Sequence, residues 1–208
     1  MPTLVLATHN RDKVKEIEHA LRHLSGVQLL SLDALPDMPD VIEDAPTLEG
    51  NALKKAREIY QFASLRFEEV LALADDTGLE VDALNGAPGV YSARYAETEL
   101  GRKPTYAENV EKLLRNLSNV THRTARFRTV IALVGTWNGK FLETTVEGIA
   151  EGEILTAPCG KHGFGYDPVF FSHDAQKTFA ELSLDEKNAV SHRGKALRAV
   201  SLFLSNLS

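Results

Sequence analysis

The sequence predicts an α/β protein built on a mixed β-sheet with flanking helices, and three observations carry that prediction. The apolar run Leu4-Val5-Leu6-Ala7 empties into Thr8-His9-Asn10-Arg11-Asp12-Lys13, and Val14, Ile17, Leu21 and Leu24 then follow at helical spacing. This reads as strand, loop, helix. A second run, Val70 to Ala74, is continuously apolar, as expected of a strand buried on both faces. Two further strands, Ala125 to Val134 and Phe141 to Ile149, flank Asn138-Gly139, a dipeptide suited to a tight hairpin. Strand and helix alternate in the first half and an antiparallel pair joins later, so the sheet is mixed.

The first loop has two readings. A helix entered from a strand turns its free backbone N–H groups and positive dipole end toward the loop, where an anion can sit, and Lys13 and Arg11 would add charge. No glycine lets the backbone close on a ligand, so the stretch also reads as a plain connection with Asp12 capping the helix. Val27 to Leu30 reads as a second strand, followed by a long loop from Asp33 to Pro46. Its Asp37, Asp40, Glu43 and Asp44 either solvate the surface or lend a ligand to magnesium. From Thr47 to about Leu65 a helix is expected, with Lys54, Lys55 and Arg57 near its start facing solvent or an anion.

The run from Val70 is expected to end in Asp75-Asp76-Thr77-Gly78. Adjacent carboxylates repel, a cost usually offset by a metal, a cation or N–H donors. A helix over Asn109 to Asn119 precedes the hairpin. Gly160 to Pro168 then combines three glycines with Phe164 and Tyr166, which either approach and stack on a ligand or plug the core. Val169 to Phe171 resumes a strand, and one last helix, opened by a Ser183/Glu186 capping box, carries Lys187, His192, Arg193 and Lys195 near its beginning.

The chain of 208 residues reads as a single domain, 1–208, with the 43% hydrophobic and 25% charged content of an ordinary globular protein. A net charge of −6 without a basic run argues against a nucleic acid polymer as partner, although a small anion can use a local basic pocket. No apolar stretch approaches membrane-spanning length and the start lacks the pattern of a signal peptide, so no membrane and a cytoplasmic location are expected. Cys159, the one cysteine, excludes an intrachain disulfide and a multi-cysteine metal site.

Five motifs occur in one order: Thr8-His9-Asn10-x-x-Lys13-x-x-Glu16, Asp75-Asp76-Thr77-Gly78, Gly86 to Arg94, Gly163-Phe164-Gly165-Tyr166-Asp167-Pro168 and Ser191-His192-Arg193-Gly194. Together they resemble the inosine triphosphate pyrophosphatase family of HAM1-like proteins over nearly the whole chain. The resemblance implies an elongated mixed sheet forming two lobes around a cleft, a homodimer, and magnesium (Mg2+). It implies hydrolysis of dITP, ITP and XTP to monophosphate and pyrophosphate, which cleanses the nucleotide pool. Carried over residue by residue, Thr8, His9, Asn10, Arg11, Asp12 and Lys13 would hold phosphate, with Lys55 and Lys187 neutralising charge. Asp76 would bind magnesium and act as general base, Thr77 would touch substrate, and Phe164, Gly165, Tyr166, Asp167, His192 and Arg193 would enclose the base. Glu43 matches an acidic position that helps organise metal, although the loop around it departs from the usual Glu-Glu-Thr-Gly-x-Thr, and Asp75 would hold Asp76 or bind metal itself.

These residue types suit that chemistry. Attack of water on the α-phosphorus expels pyrophosphate from a tetra-anionic ligand, so magnesium, Lys13, Lys55 and Lys187 would meet the developing charge. Hypoxanthine and xanthine carry an acceptor oxygen at position 6, which donors from Arg193 or nearby backbone N–H groups would satisfy. Adenine's 6-amino group would set donor against donor. The competing readings are a Maf-like pyrophosphatase acting on other nucleotides, a nucleotide-binding sensor without chemistry, and a haloacid-dehalogenase-like phosphatase, whose Asp-x-Asp-Gly-Thr motif Asp75-Asp76-Thr77-Gly78 fails to match in spacing and position.

Overall fold

The opening apolar run is β1 (Thr3–Leu6), buried throughout, and the helical spacing behind it is α1 (Arg11–Leu21). They belong to a computed structural model that describes residues 2–24, 26–35, 37–38 and 40–207. The cap of α1 is Asn10, not Asp12: its Oδ1 accepts from the backbone N of Asp12 at 3.0 Å and of Lys13 at 3.2 Å. Asparagine suits this position because its short carboxamide satisfies N–H groups that a helix start leaves without intrahelical partners. β2 (Gln28–Ser31) follows, then α2 (Leu48–Ala63), capped by the Thr47 hydroxyl.

β3 spans Val70–Val81 and runs on through the Asp75-Asp76-Thr77-Gly78 segment where sequence placed its end. The carboxylates find cationic partners there, so the strand need not break. After it come β4 (Pro88–Gly89), α3 (Glu97–Leu100) and α4 (Tyr106–Asn116), whose capping box joins Thr105 and Glu108. The hairpin β5 (Thr124–Trp137) and β6 (Lys140–Ile154) turns at Asn138 and Gly139, with φ of 50° and 71°, as a tight hairpin turn requires. β7 (Phe170–Ser172) and β8 (Lys177–Thr178) complete the strands. The expected last helix is two, α5 (Leu184–Val190) and α6 (His192–Asn206), because Ser191 adopts an extended conformation, ψ 158°, between them.

The strands form one sheet in the order β2-β1-β3-β5-β6-β7-β8, with β4 paired to β3. β1 is parallel to both β2 and β3, whereas β3 with β4, β6 with β7, and β7 with β8 are antiparallel. The mixed α/β architecture is therefore the one expected. Among the described residues no helix is long and apolar enough to cross a membrane.

The chain divides into two compact units. The first comprises Met1–Asp76, Thr129–Gly148 and Arg193–Ser208, the second Thr77–Arg128 and Ile149–His192. In the first, Leu4, Leu6, Leu71 and Leu73 of the parallel strands pack with Ile17 and Leu21 of α1 and with Leu197, Val200 and Leu204 of α6. Full burial of such side chains stabilises by roughly 2 kcal/mol each. The second core gathers Phe127, Phe170 and Phe179, whose ring centroids lie 4.7 to 6.0 Å apart, together with Val110 and Leu113 of α4 and Leu117 at its C-cap.

Candidate active site

In the first unit, two successive residues of β3, Asp75 and Asp76, present buried carboxylates. Side chains alternate faces along a strand, so Asp75 and Asp76 point apart and meet different partners. Asp75, 1% exposed, forms an ion pair with Lys13, whose Nζ lies 3.1 Å from Oδ1, and accepts hydrogen bonds on Oδ2 from Arg193 Nε at 3.1 Å and Nη2 at 2.9 Å. Arg193 also donates through Nη1 to Glu16. Burial alone would raise Asp75, but Lys13, Arg193 and Lys55 outweigh it and hold the carboxyl well below the usual range. Burial lowers the Lys13 ammonium, against the pull of Asp75.

Asp76, 7% exposed, meets α2. Lys55 Nζ lies 3.4 Å from its Oδ1, and Asn51 Nδ2 donates to its Oδ2 at 3.2 Å. The same ammonium donates to Glu43 Oε1 at 2.7 Å and to the Asp75 carbonyl at 2.7 Å. Asn51 and Lys55 are four residues apart and so share a helix face. Burial raises Asp76 above its ordinary range, and the positive charges of Lys55 and Lys13 offset this only in part. Burial works against Lys55 as well, yet Asp76, Glu43 and Asp75 together raise it.

The second unit holds a separate set. Asp167 Oδ2 accepts from the Phe164 backbone N at 2.8 Å and from Lys187 Nζ at 2.6 Å, and that ammonium sits 4.7 Å from the Phe164 ring centroid. Glycine is required at 163: φ is 74° and a Cβ would lie 2.2 Å from Asp167 Oδ2. Gly165 also has positive φ. Tyr166 is buried and donates through its hydroxyl to the Ser92 carbonyl, which makes it a wall of the set. His192 stacks on Phe127 at 4.5 Å between centroids.

The expected site residues have these partners. Arg193 spends Nε, Nη1 and Nη2 on the buried carboxylates of Asp75 and Glu16. Lys187 pairs with Asp167 among the aromatic residues of the second unit. The side-chain Oδ1 of Asn10 caps α1, so the N–H groups of Asp12 and Lys13 are taken up internally. Thr8 Oγ1 accepts from the Asn10 backbone N at 3.2 Å. Thr8, exposed His9 and exposed Arg11 line an open pocket of about 210 Å3 with Lys15, Ser31 and Asp33. Thr77 is half-buried on β3. Asn51 and the role of Glu16 escaped the sequence reading. Their signal was a polar residue one helical turn from a candidate lysine, Glu16 after Lys13 and Asn51 before Lys55.

Among the described residues no three His, Cys, Asp or Glu side chains form a ready metal cluster. Asp75, expected to hold Asp76 or to bind metal itself, faces Lys13 and Arg193. Asp76 and Glu43 do fit a hard divalent cation. Both supply carboxylate oxygen, and one positive group, the Lys55 ammonium, already touches both.

The profile of the Ham1 family matches residues 4–203. The dITP/XTP pyrophosphatase of Chlorobaculum tepidum is 52% identical over 205 residues, covering 96% of this chain and 91% of the relative. That of Desulforamulus reducens is 48% identical, covering 98% and 96%. Among solved structures, a HAM1 protein from Coxiella burnetii superposes with a TM-score of 0.84 at 40% identity, covering 99% of this chain and 100% of that one. The Staphylococcus aureus Ham1 protein gives 0.83 at 35% identity, with the same coverage. With the family profile spanning nearly the whole chain and the relatives matching along almost their full length, this protein belongs to the Ham1 family.

Proposed function

We propose that this protein is a nucleoside-triphosphate pyrophosphatase that hydrolyses deaminated purine nucleotides, dITP, ITP and XTP, to the monophosphate and pyrophosphate. The observation that carries the reading is the pair of successive carboxylates on β3, each held by its own cations, in a chain about half identical to dITP/XTP pyrophosphatases. In the reaction, water attacks the α-phosphorus, its proton goes to Asp76, and the bond to the bridging oxygen breaks with its electron pair leaving on pyrophosphate. A carboxylate raised by burial takes that proton more readily than an exposed one. Lys13 and Lys55 face the negative charge that gathers on the leaving group. Asp75 carries no proton in this scheme; it fixes Lys13. Asp76 and Glu43 are the residues that would hold magnesium, which supplies further positive charge against the phosphates.

The base is assigned to Phe164, Gly165, Asp167, Lys187 and His192. The Lys187 ammonium has donors only, so it suits the 6-oxo group of hypoxanthine or xanthine and opposes the 6-amino group of adenine. Asp167 holds that ammonium in place at 2.6 Å. A homodimer, as the family resemblance implies, and a cytoplasmic location, as the sequence pattern leads one to expect, complete the proposal.

The test is a panel of ITP, dITP, XTP, GTP, ATP and dUTP with magnesium, in which monophosphate and pyrophosphate are both measured. Stoichiometric monophosphate and pyrophosphate from ITP, dITP and XTP are expected, at kcat/KM about a hundredfold or more above ATP. Orthophosphate as product, binding of ITP without turnover, or equal use of ATP would each overturn the reading.

A further inference from the structure

Asn51 forms hydrogen bonds at both ends of its carboxamide, inside the core and at 1% exposure. Its Nδ2 donates to Asp76 Oδ2 at 3.2 Å, and its Oδ1 accepts from the Ala45 backbone N at 2.9 Å. Ala45 lies two residues after Glu43, whose Oε1 accepts from Lys55 Nζ, and the same ammonium reaches Asp76 Oδ1. The contacts close a ring: Asn51 to Asp76, Asp76 to Lys55, Lys55 to Glu43, and along the loop to Ala45 and back to Asn51. Two side chains one turn apart on α2 thereby take separate oxygens of one carboxylate, which blocks rotation of the Asp76 carboxylate.

An independent feature supports the loop side of the ring. A Cβ on Gly50 would lie 2.8 Å from the Ala45 Cβ and 3.1 Å from Thr47 Oγ1. Glycine at 50 therefore lets the loop lie close enough to α2 for the Ala45 N–H to reach Asn51.

We infer that Asn51 is a positioning residue: it orients the Asp76 carboxylate and ties it to the loop that carries Glu43, so that both carboxylates address one cation. The inference rests on the proposed role of Asp76 as general base. Removing a group that orients a ligating carboxylate typically costs about tenfold to a hundredfold in activity or metal affinity.

The experiment compares wild type with Asn51→Leu, which loses both bonds at similar volume, and Asn51→Asp, which keeps the acceptor for Ala45 and loses the donor to Asp76. Gly50→Ala is the third variant; it presses on Ala45 and leaves the Asn51 to Asp76 bond in place. Rates are taken per mole of folded protein, well below each melting temperature. Binding of Mn2+ to nucleotide-free protein is followed by electron paramagnetic resonance. Asn51→Leu and Asn51→Asp are expected to lose about tenfold to a hundredfold in kcat, with KM for ITP within about threefold of wild type. Gly50→Ala is expected to weaken Mn2+ binding severalfold with the smaller loss in kcat at saturating metal. Wild-type kcat in both Asn51 variants, or a loss confined to KM, overturns the inference while leaving the pyrophosphatase reading intact. If neither Asn51 variant folds, unchanged Mn2+ binding and kcat in Gly50→Ala overturns it. A wild-type protein that releases no pyrophosphate from ITP overturns both.

Discussion

Asp75 and Asp76 are neighbours in sequence with opposite electrostatic settings. Asp75 is surrounded by Lys13 and Arg193 and its carboxyl is held low, whereas burial prevails at Asp76 and lifts it. The two therefore answer differently to removal of charge. A carboxyl depressed in the folded state contributes stability that is full above its unfolded pKa, about 3.9, and is lost as pH falls toward the folded value. Asp75→Asn removes that contribution and leaves Lys13 and Arg193 short of a buried partner, a loss of about 3 to 5 kcal/mol at neutral pH. Below about pH 4 the wild type should lose stability more steeply than Asp75→Asn, by about 1.4 kcal/mol per pH unit, in urea titrations. Parallel lines would show that Asp75 is not the ionised hub of the network. Asp76→Asn, by contrast, should lower kcat by about two to four powers of ten with the melting temperature nearly unchanged, since it removes a proton acceptor and keeps an oxygen for Asn51.

At the scale of elements, the sequence was most legible where one periodicity ran without interruption. The parallel strands, α2 and the Asn138-Gly139 hairpin lie where pattern and turn chemistry placed them. Boundaries failed where a polar residue found a tertiary partner invisible to local pattern. Asp75 and Asp76 looked like a strand end because their cations lie far off in the chain, at positions 13, 55 and 193. Ser191 breaks the last helix, and His192 and Arg193, successive at the start of α6 and so turned to different sides of it, meet different surroundings, an aromatic stack and a buried carboxylate pair. The glycine-rich segment was legible as a close approach but not as to what. Its Gly163 makes room for Asp167, which holds both the Phe164 N–H and Lys187. Gly163→Ala should displace Asp167 and strain a positive φ, lowering stability by more than about 1 kcal/mol. It should also raise KM for ITP about tenfold while Mn2+ binding stays at the wild-type level, because Glu43 and Asp76 are untouched. Unchanged KM would remove this segment from base recognition.

At the scale of the whole molecule, charge separates a small-anion enzyme from a polymer binder. The chain carries a net −6, and its candidate cationic groups Lys13, Lys55 and Lys187 have side chains only 17%, 9% and 4% exposed. Long-range attraction for a polyanion is therefore weak, while the field around each buried ammonium is strong and poorly screened, since salt acts chiefly on exposed charges. A protein gripping many phosphates of a duplex loses about a thousandfold or more in affinity between roughly 50 and 200 mM salt through counterion release. Over that same range, kcat/KM for ITP at fixed free magnesium should here change by less than about threefold. The net negative charge even favours a small rise at the low end, as salt screens repulsion of the incoming nucleotide. Steady-state rates at a series of potassium chloride concentrations measure this directly, with a labelled duplex titrated in parallel. A steep fall in kcat/KM, or tight and salt-sensitive duplex binding, would mean that exposed cations carry recognition and that the buried lysines do not.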